Sequence, residues 1–247
     1  MPTIGYQLYS SRNWPLVETL DMLEGLGLDA VEGFGPLFDD PAATKRLLDE
    51  HEMTMPTAHF TLDLVAGDPT RTLEIARTIG IQTVIVPFIA PDQRPMDKAG
   101  WQAFARQLAQ AGKPIRDAGL GYAWHNHDFE FLACADGTLG IDEIAAHPEV
   151  GFELDLGWIH AAGHNPADWV RKYADRVLAV HIKDRAPDGE NLDEGGWADL
   201  GYGEVDFMSI VPALGAADVE HWVLEHDNPS DHKRFATRSF NALSMFV

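Results

Sequence analysis

Short apolar runs recur along this chain, each followed by a longer stretch whose apolar positions repeat at helical spacing. The strand-like runs fall at 3–9, 28–33, 53–60, 82–88, 119–126, 150–155, 177–183 and 221–226. The helical stretches fall at about 15–26, 40–51, 69–79, 98–118, 140–147, 166–175, 206–214 and 231–245. Asp40 before Pro41 and Asp68 before Pro69 mark helix starts, because a capping acid precedes a proline whose missing N–H costs nothing in a first turn. Strands alternating with helices predict parallel pairing through right-handed crossovers. Eight such units close a barrel more readily than they fill an open sheet. The expected fold is therefore a single α/β domain over 1–247, a (β/α)8 TIM barrel. No GxGxxG or phosphate-loop pattern follows the first run. The longest irregular stretch, 185–204, lies after the seventh strand, on the face where such barrels keep their active sites.

What changes the picture is how the later runs end. YAWHNHDFEF (122–131), VGFELDLG (150–157), VLAVHIKD (177–184) and HWVLEHD (221–227) all finish in acids or histidines. An unpaired buried carboxylate is costly, so strand ends of this kind imply a shared positive charge at the barrel mouth. Alternate residues of a strand share a face, which groups Asp155 with Glu153, His181 with Lys183, and Glu225 with Asp227. His59 closes the third strand and Glu32 sits near the end of the second. In the fifth strand His125 and His127 share a face while Asn126 faces the other way. Glu130 lies three residues into the turn, where it can curl back, so the residue types leave the strand-five ligand open. An oxygen and imidazole set such as Glu130, Asp155, His181 and Glu225 suits a divalent ion. Manganese is the expected one, with magnesium, cobalt and zinc as alternatives that ligand type does not separate.

Composition narrows the function classes. Cys134 is the only cysteine, which excludes an intramolecular disulfide and a thiolate-rich metal site. The formal net charge of −21 repels phosphodiester backbones, and the lysines and arginines form no stripe, so nucleic acid is not an expected partner. No run is apolar for long enough to cross a bilayer, and the N-terminal MPTIGYQLYS carries no secretory pattern. A cytoplasmic protein without a membrane partner is expected, with a homo-oligomer left open.

Other residues are read with two meanings each. Lys183 is either a substrate contact or half of an internal ion pair. Glu153 pairs with a barrel lysine or arginine, and Asp184 and Asp227 act as caps or as partners of the ligands. Trp14, Phe34, Phe60, Phe88 and Trp158, at or just past strand ends, are either core or walls on which a sugar ring stacks. GYGEVDF (201–207) reads as a tight turn into the seventh helix, with Asp206 as its cap.

The runs WHNHDFEF, ELDLGWIHAAGHNP, VHIKD, LGYGEVDF and LEHD together resemble the sugar phosphate isomerase/epimerase family, the xylose isomerase-like barrels that also include endonuclease IV. The similarity extends from GYQLYS to the last strand. It implies a divalent metal held by Glu, Asp, His and Glu from strands five to eight, and Asp155, His181 and Glu225 match the last three. Asp155 and His181 are 26 residues apart, the length of one β/α unit. At strand five this chain departs from the common pattern: His125 stands before Asn126 where many epimerases of the family carry Glu, and Glu130 comes later. The variant resembles a branch whose strand five reads Tyr-His-Asn-His, here with Trp124 for Tyr, linked to keto-sugar or inositol catabolism by isomerases and by lyases on 3-keto-glycosides.

The chemistry this implies is proton abstraction next to a carbonyl of a small carbohydrate through a metal-stabilised enediolate, by an isomerase or epimerase. Glu225 is the expected base, with Glu130 or His127 delivering a proton to the opposite face. His59, His125, Trp158, His160, Lys183 and Glu32 are expected to bind substrate. A metal-dependent lyase is the chief alternative, with His127 or His160 protonating the departing oxygen. An endonuclease IV-like repair enzyme and a non-catalytic sugar-binding barrel stand behind it.

Overall fold

A computed structural model describes residues 2–246. Eight parallel strands close a barrel: β1 (Thr3–Gln7), β2 (Ala30–Phe34), β3 (Thr54–His59), β4 (Thr83–Val86), β5 (Gly121–His125), β6 (Gly151–Asp155), β7 (Val177–Ile182) and β10 (His221–Leu224). β10 lies between β7 and β1 and completes the ring. A two-stranded antiparallel ribbon, β8 (Asp184–Arg185) with β9 (Trp197–Ala198), rises out of the 185–204 segment. The barrel expected from the alternation of runs is the one observed.

The start signals behave as expected. Asp40 accepts from the N–H of Ala43 at 2.9 Å and Asp68 from that of Arg71 at 2.9 Å, each ahead of a proline in the first turn. Asp206 caps the helix Phe207–Ala216 through the N–H of Ser209. Three expectations are corrected. The helix expected over 98–118 breaks into Lys98–Ala111 and Lys113–Asp117, because Pro114 has no N–H for the carbonyl one turn back. Short helices at Leu62–Gly67 and Leu156–Ala161 follow β3 and β6, where too few residues separate strand and next helix for their pattern to stand out. β1 ends at Gln7 and gives way to a 3-10 turn at Leu8–Ser11, whose start is tied by the Gln7 side chain accepting from the N–H of Tyr9.

The apolar core fills the space between barrel and helices, with Trp101, Trp124, Tyr6, Tyr122 and Phe60 among the largest fully buried side chains. Where β5, β6 and β7 run side by side, His125 pairs in register with Glu153 and Asp155 with His181. That register sets polar side chains in tiers at the mouth. No helix among the described residues is long and apolar enough to cross a membrane.

Candidate metal centre

Two buried groups of histidines and acids share the imidazoles of His125 and His181, one below the other in the barrel mouth. In the lower group His59 Nε2 lies 2.6 Å from Glu153 Oε2 and 3.0 Å from Glu32 Oε1. His125 Nδ1 lies 3.0 Å from Glu153 Oε2, and His181 Nε2 lies 2.7 Å from Glu32 Oε1. These are hydrogen-bond lengths, at which imidazoles and carboxylates satisfy one another directly, in a group whose ligand atoms also lie close enough together to hold an ion. Gln7 completes the layer, donating from Nε2 to Glu32 Oε1 at 2.6 Å.

The upper group is spaced differently. Asp155 Oδ2 is 3.7 Å from His181 Nδ1 and 3.9 Å from His125 Nε2, and His181 Nδ1 is 4.0 Å from Glu225 Oε2. Metal bonds of about 2.1 Å leave neighbouring donors about 3.0–3.5 Å apart in a tetrahedral or octahedral shell, so these gaps suit an ion after a small contraction. Asp155 Oδ2 and His181 Nδ1 are buried and have no hydrogen-bond partner among the described residues, and buried Glu225 Oε2 has no aligned hydrogen bond but faces Lys183 Nζ at 2.7 Å. Two unpartnered atoms and a carboxylate oxygen that meets only the Lys183 ammonium lie together, in donor types that divalent cations accept, and fit a bound metal.

The lower layer explains why the upper one is open. A ligating imidazole presents one nitrogen to the ion while the other donates to a carboxylate that fixes the tautomer. Glu153 takes the Nδ1 side of His125 and Glu32 the Nε2 side of His181, which leaves His125 Nε2 and His181 Nδ1 facing the gap. Asp155 is held by its neighbours too. Its Oδ1 caps the following helix at the N–H of Trp158, and its own N–H donates to Asn126 Oδ1, so the side chain facing away from the site clamps β6 to β5.

Electrostatics follow from burial and pairing. Burial lowers the His125 imidazole well below its ordinary range, with His181 adding to the effect. Burial acts on His181 in the same sense, but Glu153 and Glu32 raise it above the ordinary range. Burial opposes ionisation of Asp155, yet Lys183 and His181 hold its carboxyl below the usual carboxylate range. Burial and then Asp227 push Glu225 up to about 7. His59 rises to about 9, because Glu32 and Glu153 outweigh its burial.

Lys183 is an internal ion pair. Its Nζ lies 2.6 Å from Asp227 Oδ2, 2.7 Å from Glu225 Oε2 and 3.6 Å from Asp155 Oδ2, hydrogen-bonded only to Asp227, with the Trp197 ring centroid 4.1 Å away. Gly157 is required beside it, since a Cβ there would come within 2.8 Å of Lys183 Cγ. Trp158 packs behind, edge-on to Trp197 at 4.6 Å and tilted against His127 at 5.3 Å.

A cavity of about 350 Å³ opens above the upper group, lined on one side by His59, His125, His127, His181, Glu225 and Asp227, and on the other by Tyr9, Phe34, Phe60 and Phe88. His127 Nδ1 is buried without a hydrogen-bond partner among the described residues, and burial followed by Lys183 lowers this imidazole to about 4.

Several expected site residues land elsewhere. Glu130 does not reach the ion position: its Oε1 accepts from Trp124 Nε1 at 2.9 Å and its Oε2 from the N–H of His127 at 3.0 Å, so it braces the loop that carries His127. Burial pushes its carboxyl up to about 8 against those donors. The strand-five nitrogen at the gap belongs to His125, expected above as a substrate contact. Glu32, fully buried, supports His181 and does not line the cavity. Trp158 and His160 are also outside its lining, because a helix starts directly after Asp155 and turns their side chains away. Glu153 pairs with histidines, not with lysine or arginine. Trp14 stacks on His232 at 4.2 Å and does not line the cavity. Asp184 accepts from the N–H groups of Gly201, Gly203 and Val205, so GYGEVDF is an anchored turn. A Cβ on residue 203 would sit 2.3 Å from Asp184 Oδ1. Gln7 and Tyr9 were not expected in the site. The only signal was a glutamine and a tyrosine at the end of the first apolar run.

Comparison with known proteins agrees with this architecture. The family described as the xylose isomerase-like TIM barrel matches residues 20–239. The inosose dehydratase of Clostridium beijerinckii is 26% identical over 136 residues, 50% of this chain and 46% of that protein. The chain thus matches about half the length of such curated relatives. A sugar phosphate isomerase/epimerase from Parabacteroides distasonis superposes with a TM-score of 0.81 at 19% identity, over 97% of this chain and 92% of that one. The IolI protein, crystallised with a zinc atom, superposes with a TM-score of 0.75 at 16% identity, over 99% of this chain and 96% of that one. At these identities the structural likeness shows the fold.

Proposed function

The chain belongs to the xylose isomerase-like TIM barrel family, and from that premise we propose that it is a divalent-metal-dependent isomerase or epimerase acting on a small keto-sugar. The observation that carries the proposal is the buried cluster of Asp155 Oδ2, His181 Nδ1 and Glu225 Oε2, the first two without hydrogen-bond partners, beside a cavity of sugar size. His125 Nε2 makes the fourth donor. A divalent ion bound there supplies electrophilic polarisation of a carbonyl oxygen, which acidifies the neighbouring C–H. Manganese remains the expected ion, and the zinc of IolI is a second candidate.

The protein's own groups then handle the proton. Glu225, raised toward neutrality by burial and Asp227, is the base that takes it from carbon. Lys183 keeps the neighbouring negative charge of Asp227 in check through their ion pair. His127, neutral and with an unpartnered Nδ1 at the cavity wall, can take up a proton there and hand it back from another direction, the part shared above between it and Glu130. Phe34, Phe60 and Phe88 offer apolar faces for a sugar ring and keep water out.

A lyase reading has its own support, in the unpartnered ring nitrogen of His127 that can hydrogen-bond a departing hydroxyl and in the relatives named inosose dehydratase. One experiment tests both. Incubation with Mn²⁺ in D₂O across keto-sugars and inosose, followed by NMR, is expected to show deuterium at the carbon next to the carbonyl, and EDTA is expected to stop it. Exchange that ignores EDTA, or none with any substrate in a metal-loaded protein, would sink the proposal. Loss of water from the product selects the lyase.

A further inference from the structure

The two imidazoles that face the gap are oriented by carboxylates from different arcs of the barrel. Glu153 comes from β6, next to the β5 strand of His125, whereas Glu32 comes from β2, three strands round the ring from the β7 strand of His181. Both carboxylates are fully buried, and each keeps one oxygen, Glu32 Oε2 and Glu153 Oε1, without a hydrogen-bond partner among the described residues. Two such anions repel one another, so holding both in line needs a group that touches both. Apart from His181 itself, that group is His59: its Nε2 is 2.6 Å from Glu153 Oε2 and 3.0 Å from Glu32 Oε1. Gln7 Nε2 stands 3.5 Å from the other ring nitrogen and also donates to Glu32, which orients the ring from behind.

Building on the metal centre read above, we infer that His59 is a positioning residue that fixes the ring orientation of both ligand histidines at once, by holding Glu32 and Glu153 together beneath them. Its placement on the cavity wall suggested a substrate contact; its hydrogen bonds run downward to the two glutamates. Loss of a partner that orients a metal-binding imidazole costs about 10–100-fold in metal affinity, and His59 serves two.

Cobalt(II) uptake tests this without any turnover. Purified apo protein and its His59→Phe and His59→Gln variants, each checked for fold by far-UV circular dichroism, would be titrated with Co²⁺ by calorimetry and by visible absorption. Phe has no donor, while Gln keeps N–H donors for the carboxylates but lacks the ring that packs against His125 and His181. The Phe variant is expected to bind Co²⁺ about 10–100-fold more weakly with altered band intensity, and the Gln variant to fall between it and the parent. Should the Phe variant fail to fold, the Gln variant decides. Variants that match the parent in affinity and spectrum overturn the inference and return His59 to substrate binding. A parent that takes up no cobalt overturns the metal centre too, so the two failures are distinct.

Discussion

The lower and upper groups of the mouth are built from the same residue types and share two imidazoles, yet one is closed and the other open. Below, donors and acceptors meet at 2.6–3.0 Å among His59, His125, Glu153, His181 and Glu32. Above, Asp155, His181 and Glu225 stand 3.7–4.0 Å apart, with Asp155 Oδ2 and His181 Nδ1 unpartnered and Glu225 Oε2 facing only the Lys183 ammonium. Proximity of histidines and acids therefore does not by itself mark an ion site. Residual spacing and unmet hydrogen-bonding capacity do, and the closed layer is what keeps the open one from collapsing.

The hardest way to break this contrast is Asp155→Asn. The amide can keep the cap on Trp158 through Oδ1 while replacing Oδ2, so the fold is expected to survive. Metal affinity is expected to fall by more than the roughly 100-fold that loss of a mere orienting partner can cost. Calorimetric titration with Mn²⁺ or Co²⁺ checks it, and unchanged affinity would remove Asp155 from the shell.

Glu130→Gln sharpens the contrast from outside. Two N–H donors point at its two oxygens, and an amide can answer only one. A loss of about 1–3 kcal/mol in stability is expected, measured by urea denaturation, with metal affinity unchanged. Weakened metal binding in a fully folded variant would restore Glu130 as a ligand.

The smallest effect concerns pH. His59 is raised to about 9 from an ordinary 6.5, so its proton is favoured in the folded state. That contribution is complete below about pH 6.5 and fades as pH climbs through 9. Glu153, lowered to about 2, contributes fully above the ordinary 4.5 and stays constant over this window. The metal-free protein is expected to lose several degrees of melting temperature between pH 6.5 and 9. Metal binding needs deprotonated ligands and grows stronger over the same range, so the loaded protein should hold level or gain. Parallel curves in differential scanning calorimetry would contradict the contrast.

Much of this was legible in the chain. The alternation of runs gave the barrel, and the polar ends of the later runs, with the family resemblance, pointed to Asp155, His181 and Glu225, which lie together. Parity failed where the strand stops. Glu130 lies in a turn, where no period says which way a side chain points, and Trp124 is what captures it. His160 was lost because a helix begins immediately after Asp155 without a capping residue beyond the ligand itself. The lower layer was hidden for another reason: Gln7, Glu32 and His59 come from strands whose register with β6 and β7 depends on closure of the ring, a property of no local stretch.

Trp197, which faces Lys183 at the mouth, belongs to a segment anchored from afar. Arg234 of the final helix, His232–Leu243, grips Glu194 and Asp199 of that segment at 2.7 and 2.9 Å, and Arg238 adds a contact to Asp199. The roof over the lysine is thus held by the opening turns of a helix 40 residues further along the chain. A change at Arg234 would therefore reach Trp197 and the lysine beneath it, although no atom of that arginine lines the cavity.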